Sequence, residues 1–242
     1  MADHKPHILS TRPIEAALLE QAAGKGVIID TLPFIVTEPI VDITLQSHIR
    51  QLGRQPLVVV FTSMNAVEAV AGLLENQSEV AAHGMLPWRV YAIGYATQQL
   101  VLQHWGPACI AGTAASAAAL ADTIIRQRAP GVTFFCGDQR REELPEKLRE
   151  QAIPVNEVVV YRTIQTSHKV EPVYEGIAFF SPSAVHSFFA KNSVSSGTIL
   201  FAIGQTTADT IRGYAPDNHT ILSGSPEKEV LIRQVIDYYN NL

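Results

Sequence analysis

The sequence predicts an α/β fold built on open parallel sheets, and three observations predict it. Short β-branched runs alternate with helix-length segments along all 242 residues. Some runs are apolar without a break, above all Leu57-Val58-Val59-Val60-Phe61, as suits a strand covered on both faces. The chain also repeats itself at long range. Phe61-Thr62-Ser63-Met64-Asn65-Ala66-Val67 matches Phe179-Phe180-Ser181-Pro182-Ser183-Ala184-Val185 at an offset of 118, and Tyr91-Ala92-Ile93-Gly94-Tyr95-Ala96-Thr97 matches Phe201-Ala202-Ile203-Gly204-Gln205-Thr206-Thr207 at an offset of 110. Both matches fall on strand–turn–helix junctions in the same order, and the longer Asn76–Pro87 segment absorbs the difference of 8. A weaker third match pairs the turn at Arg12 with that at Arg140. A period of about 120 residues means a duplicated α/β unit, because solenoid repeats run only ~20–50 residues.

The elements follow in order. His7-Ile8-Leu9-Ser10 reads as a strand. Pro13 to Lys25 reads as a helix, with Pro13 near its first turn and Ile14, Ala17, Leu18 and Ala22 on one face. Gly24 or Gly26 ends it before the strand Val27-Ile28-Ile29. Further strands are expected at Leu57–Phe61, Val90–Ile93, Val132–Phe135, Val158–Val160, Ile177–Phe180 and Ile199–Ala202, most of them separated by a helix-length segment.

Composition excludes several function classes. With 47% hydrophobic and 17% charged residues the chain is too apolar for disorder. Lys+Arg 18 against Asp+Glu 23 gives −5, a poor balance for broad nucleic-acid binding. Two cysteines, Cys109 and Cys136, exclude a disulfide framework or a four-cysteine zinc site. The first residues carry no apolar signal segment, and no apolar run approaches the ~20 residues of a membrane span, so a soluble cytoplasmic protein is expected. The dinucleotide fingerprint, the Walker sequence, H-E-x-x-H, C-x-x-C and G-x-S-x-G are all missing. The histidines are scattered, and His4 and His7 are expected in a frayed tail.

Open α/β sheets bind ligands beyond the carboxyl ends of their strands. The residues there are Ser10-Thr11-Arg12, Thr62-Ser63, Gly94 to Thr97, Gly112 to Ser116, Gly137 to Arg141, Ser181-Pro182-Ser183, Gly204 to Thr207 and Ser223-Gly224-Ser225. Nearly all are small, hydroxylic or glycine, and each is expected to begin a helix. A helix start offers unpaired N–H groups and the positive dipole end, contributing roughly 0.3–2 kcal/mol toward a nearby anion. Several together suit a ligand with many carboxylates or phosphates. Any one of them alone reads as a local N-cap before a ligand contact. Arg12, Arg140 and Arg141 are cations at strand ends, their bland role being surface ion pairs with Glu15, Glu142 or Glu143. Tyr161 follows Val158-Val159-Val160 and is either a half-buried strand tyrosine or a phenolic donor to a leaving group. Cys136 ends an apolar strand and reads as a buried small hydrophobe. A two-lobed binding protein or sensor for a small polyanion, and a nucleotide-dependent enzyme, are the competing readings.

Thr11-Arg12-Pro13, Phe61 to Val67, Ala92-Ile93-Gly94 with Thr97, Val160-Tyr161-Arg162-Thr163, Phe180 to Val185, and Ala202-Ile203-Gly204 with Thr206-Thr207 together resemble the uroporphyrinogen-III synthase family in order and spacing. The resemblance implies two similar open parallel-sheet (flavodoxin-like) domains joined by a two-stranded β linker, the first domain discontinuous. Domain 1 would be residues 1–34 and 167–242, domain 2 residues 38–162, and the linker strands 32–38 and 159–166, with the active cleft between the domains. It implies a lyase of haem and porphyrin biosynthesis that cyclises hydroxymethylbilane to uroporphyrinogen III, inverting ring D through a spiro intermediate and releasing water. No cofactor and no metal are implied, the substrate is the only partner, and a monomer is expected. Tyr161 matches the family's tyrosine and would help the hydroxyl leave. Thr62, Ser63, Thr97, Ser181, Ser183, Thr206 and Thr207 would surround substrate carboxylates or shape the turns that present N–H groups, with Arg12, Arg140 and Arg141 supplying positive field.

Overall fold

Alternation along a strand sends successive side chains to opposite faces, so a strand apolar throughout needs a helical layer on each side. That requirement organises the computed structural model, which describes residues 5–75 and 86–241. The first elements are β1 (His7–Ser10), α1 (Ala16–Gly24), β2 (Ile28–Thr31), β3 (Ile35–Pro39), α2 (Ile43–Gly53), β4 (Val58–Phe61) and α3 (Met64–Glu75). Then come β5 (Arg89–Ile93), α4 (Tyr95–Trp105), β6 (Ile110–Ala114), α5 (Ala117–Arg126), β7 (Val132–Gly137), α6 (Glu143–Glu150) and β8 (Val155–Gln165). The last are β9 (Gly176–Phe179), α7 (Pro182–Phe189), β10 (Ile199–Ala202), α8 (Gln205–Tyr214), β11 (Thr220–Leu222) and α9 (Lys228–Asn240). The chain divides into two compact units, Met1–Val36 with Ile164–Leu242, and Thr37–Thr163.

In the first unit the sheet order is β2-β1-β9-β10-β11, every pair parallel. Numbered along the chain this is the flavodoxin-like order 2-1-3-4-5. Leu9, Ile177, Phe179 and Leu200 pack with Val185 and Phe188 of α7 and Ile211 of α8. On the other face Ile8, Ala178 and Phe201 pack with Leu18 of α1 and Leu231, Ile232 and Val235 of α9.

In the second unit the order is β3-β8-β7-β4-β5-β6. Strands β4 to β8 run parallel, while Ile40 N–H to Val160 O (2.9 Å) and Thr166 N–H to Phe34 O (3.0 Å) give β3 and β8 an antiparallel sense. Val59 and Phe61 join Ile49, Val67, Val70 and Val101 from α2, α3 and α4. Val60, one residue between them, joins Leu120, Ile124, Leu144 and Leu148 from α5 and α6. The unbroken run thus serves two cores, each fully buried large aliphatic or aromatic side chain adding roughly 1.5–3 kcal/mol.

The two sheets share one layout. Strands β9, β10 and β11 stand where β4, β5 and β6 stand, and β1 and β2 where β7 and β8 stand. The sequence repeats pair β4 with β9 and β5 with β10, and the weaker match pairs β1 with β7. The chain enters the layout at a different strand in each unit, a circular permutation of one plan.

Two local expectations change. The first helix begins at Ala16, not Pro13, with Glu15 in extended backbone before it. The Thr11 N–H and hydroxyl both bond the Ala178 carbonyl (3.0 and 2.8 Å), which prolongs β1's path and delays the helix. His7 is not frayed: it opens β1, its ring bonds Asp30 (2.8 Å) and its N–H the Glu175 carboxylate (2.7 Å). His4 and most of the Asn76–Pro87 segment lie outside the described residues. Among the described residues no helix is long and apolar enough to cross a membrane.

Candidate active site

The carboxyl edge of the second sheet is built by the ends of β8, β7, β4, β5 and β6 in turn. At β4 the chain turns through Thr62 and Ser63, both half-buried, into α3. The Ser63 hydroxyl accepts the Ala66 N–H at 3.2 Å, an N-cap. The same hydroxyl donates to the phenolic oxygen of Tyr161 at 3.2 Å. At β5 the chain turns at Gly94, whose φ of 77° lies in the left-handed region that favours glycine. Thr97 follows in the first turn of α4 and is buried.

Tyr161 owes its position to a change of register. Cys136 of β7 is opposite Val159 of β8, but Gly137 is opposite Tyr161, so Val160 is an extra residue. Val158 and Val160 both enter the α2–α4 core, while Val159 is exposed. Strict alternation would send Tyr161 out with Val159. The irregularity instead lets its ring pack on the same core as Val160, over Gly137. A Cβ on Gly137 would lie 2.5 Å from Tyr161 Cε2 and 2.8 Å from its phenolic oxygen. Asp138 holds the strand on both sides of the ring: its N–H donates to the Tyr161 carbonyl (3.2 Å), and its carboxylate accepts the Thr163 N–H (2.9 Å).

Beyond β7, Arg140 is half-buried and engaged. It pairs with Glu142 (2.8 Å) and with Glu157, which also binds Arg149. Arg141 is exposed. Burial pushes the Cys136 thiol up to about 11, in keeping with an inert small hydrophobe.

The first sheet presents a matching edge. Ser10 and Thr11 are buried, and the Ser10 hydroxyl donates to the Arg12 carbonyl (2.6 Å). The Arg12 side chain is exposed. Glu15 is paired with Lys228 instead, and that hydrogen bond, with smaller help from the charges of Lys228 and Arg12, holds its carboxyl below the usual range. Ser181 caps α7 by accepting the Ala184 N–H at 3.2 Å, and Ser183 follows half-buried. Gly204 precedes α8, where Thr206 is exposed and Thr207 buried.

The structure therefore brings Ser63 and Tyr161 into contact, with Thr62 beside Ser63 in the chain. Helices start directly at the junctions of β4, β5, β6, β9 and β10, at Met64, Tyr95, Ala117, Pro182 and Gln205. They do not start directly after β1, β7 or β11, contrary to the expectation for all eight junctions. There the donors return to the sheet instead: Thr11 to Ala178, Asp138 to Tyr161, and Ser223 N–H to the Ala202 carbonyl (2.8 Å). Gly112 to Ala114 also lie inside β6 rather than in a turn. Gly137 and Asp138 are the contributors that sequence reasoning did not single out. Their available signal was a glycine closing an otherwise apolar strand.

A family model described as uroporphyrinogen-III synthase HemD matches residues 16–224. A uroporphyrinogen-III synthetase structure from Helicobacter pylori superposes with a TM-score of 0.68 at 16% identity, covering 96% of this chain and 99% of that one. A mutant uroporphyrinogen III synthase from Thermus thermophilus gives 0.59 at 13% identity, over 98% and 99%. At such identities the two structures speak for the fold.

Proposed function

The chain belongs to the uroporphyrinogen-III synthase family, and on that premise we propose that it cyclises hydroxymethylbilane to uroporphyrinogen III, inverting ring D and releasing water. It is in this reading a hydro-lyase of tetrapyrrole biosynthesis that needs no cofactor or metal. A monomer in the cytoplasm, with the two domains and linker strands outlined from the sequence, belongs to the same proposal.

The observation that carries the chemistry is the phenol of Tyr161 beside a capped helix start at the carboxyl edge of a parallel sheet. The phenol hydrogen-bonds the terminal hydroxyl and passes its proton to that oxygen as the oxygen takes the electron pair of the breaking C–O bond and departs as water; the pyrrole nitrogen's lone pair relieves the carbon left behind, and the proton released on ring closure returns to the phenolate. Helix starts at Met64, Tyr95, Pro182 and Gln205 supply N–H donors for the substrate's carboxylates, with Thr62, Ser181, Ser183 and Thr206 around them, while Ser63, its proton given to Tyr161, shapes the turn at Met64. Thr97 and Thr207 are buried and act by shaping those turns. Arg12 and Arg141 add positive charge, and Arg140, already paired with two carboxylates, adds less. Ring closure without inversion proceeds spontaneously, so the enzyme's task is to favour one geometry, and orientation outweighs strong acid–base chemistry.

Freshly made hydroxymethylbilane tests the proposal. After oxidation, separation of the isomers is expected to give isomer III at a rate proportional to enzyme. Isomer I alone, at the spontaneous rate, overturns it.

A further inference from the structure

We propose that Gly137 and Ser63 are positioning residues that aim the Tyr161 phenol and leave its proton free for the substrate; this rests on the function proposed above.

The argument begins with counting protons. Ser63 Oγ accepts the Ala66 N–H and gives its only proton to the Tyr161 oxygen. The phenol is thus held as an acceptor, and its own O–H remains to be donated elsewhere. The chain Ala66 N–H to Ser63 O–H to Tyr161 O–H begins at the positive end of α3, and each bond polarises the next. The phenol becomes a stronger donor toward an oxygen gaining negative charge, without losing its proton to Ser63.

Gly137 supplies the space this arrangement needs. The extra residue Val160 swings Tyr161 across the end of β7, and the ring then occupies the place of a side chain at the residue opposite. Any Cβ there would stand 2.8 Å from the phenolic oxygen, well inside van der Waals contact. The obstructing atoms belong to the ring itself, so relief requires the ring to move, and with it the contact to Ser63. Register shift, glycine and serine form one device.

Variants at Ser63, Gly137 and Tyr161 decide it, read by kcat, KM and melting temperature. Ser63→Ala is expected to lower kcat about tenfold with KM changed less than twofold, and Ser63→Thr, which restores the hydroxyl, to recover most of the loss. In a Tyr161→Phe background Ser63→Ala should cost no further kcat. Gly137→Ala should lower kcat at least as much as Ser63→Ala. It should also melt below the wild type, whereas Gly137→Ala added to Tyr161→Ala should melt no lower than Tyr161→Ala. Asp42→Ala, which removes the cap of α2 from Leu45 N–H (2.8 Å), is the control that lowers stability and leaves kcat unchanged. If Gly137→Ala alone does not fold, its folding once Tyr161→Ala removes the ring upholds the role of Gly137, and failure of that double variant as well overturns it. Full kcat in Ser63→Ala, or an equal loss with and without the phenol, overturns the role of Ser63; full kcat in Gly137→Ala overturns that of Gly137. A wild-type protein that yields no isomer III defeats the function instead, and one that yields it while these variants stay fully active defeats only the positioning.

Discussion

Ser63 and Ser181 occupy equivalent places in the two units, each at the end of a buried strand and each accepting a helix N–H at 3.2 Å. The fourth helix and the eighth agree as closely, since each follows a glycine and buries a threonine in its first turn. The units part at the neighbouring strand. Beside Ser181 in the first unit, β1 pairs with β2 in unbroken register and closes in Ser10 and Thr11, whose hydroxyls bond backbone carbonyls. Beside Ser63 in the second, β7 ends in glycine, the register slips by one, and a phenol occupies the space. A common plan for presenting helix starts has thus been specialised in one copy by a single extra strand residue. Both units present capped helix starts at their strand ends, and in the irregular one a phenol stands beside the cap.

The strongest way to break this comparison is to remove that group. Tyr161→Phe is expected to lower turnover of hydroxymethylbilane by about 100-fold, near the lower end of what a positioned proton donor contributes. Full turnover in this variant would return Tyr161 to an ordinary strand residue and erase the difference between the units. Next comes a glycine of the first unit that is also covered by a tyrosine. A Cβ on Gly176 in the first unit would meet the Tyr239 oxygen at 2.7 Å and Ile8 Cδ1 at 3.1 Å. Gly176→Ala should therefore cost roughly 1–3 kcal/mol of stability in thermal melts. Its kcat should stay at the wild-type value; a kcat falling as it does in Gly137→Ala would mean that crowding a sheet, in either unit, is enough to disable the enzyme.

The arginines sharpen the contrast further. Arg12 is exposed, whereas Arg140 is bound to Glu142 and Glu157. Arg12→Ala is expected to raise KM about fivefold, equivalent to ~1 kcal/mol, and Arg140→Ala by less than twofold. The reverse order in steady-state kinetics would assign the anion-attracting role to the second unit. The smallest effect at neutral pH concerns Cys136. Its folded value of about 11 lies above the ordinary 9.0, so the folded protein keeps a proton that the unfolded chain releases between them. This contribution to stability is whole below pH 9.0 and disappears as pH rises toward about 11. Cys136→Ala should flatten that part of the stability profile in denaturant titrations, and at pH 8 a thiol reagent should modify Cys136 only as fast as the protein opens.

The sequence by itself determined the strands other than β3, β6 and β11, the class of residue that follows them, and the long-range repeat. Those properties are local: face-by-face burial writes itself into apolar runs, and N-caps into hydroxylic residues such as Ser63, Ser116 and Ser181. Tyr161 was legible because it follows such a run. Only tertiary structure decided that β1 lies beside β9, where Thr11 bonds Ala178 across 167 residues of sequence. It also decided that Arg140 is neutralised by Glu157, and that Gly137 makes room for Tyr161. The reason is physical. Residue periodicity encodes which face is covered, but a one-residue shift between two strands leaves that periodicity almost untouched, and its cost and benefit are settled by hydrogen bonds and contacts that exist only once the strands have met.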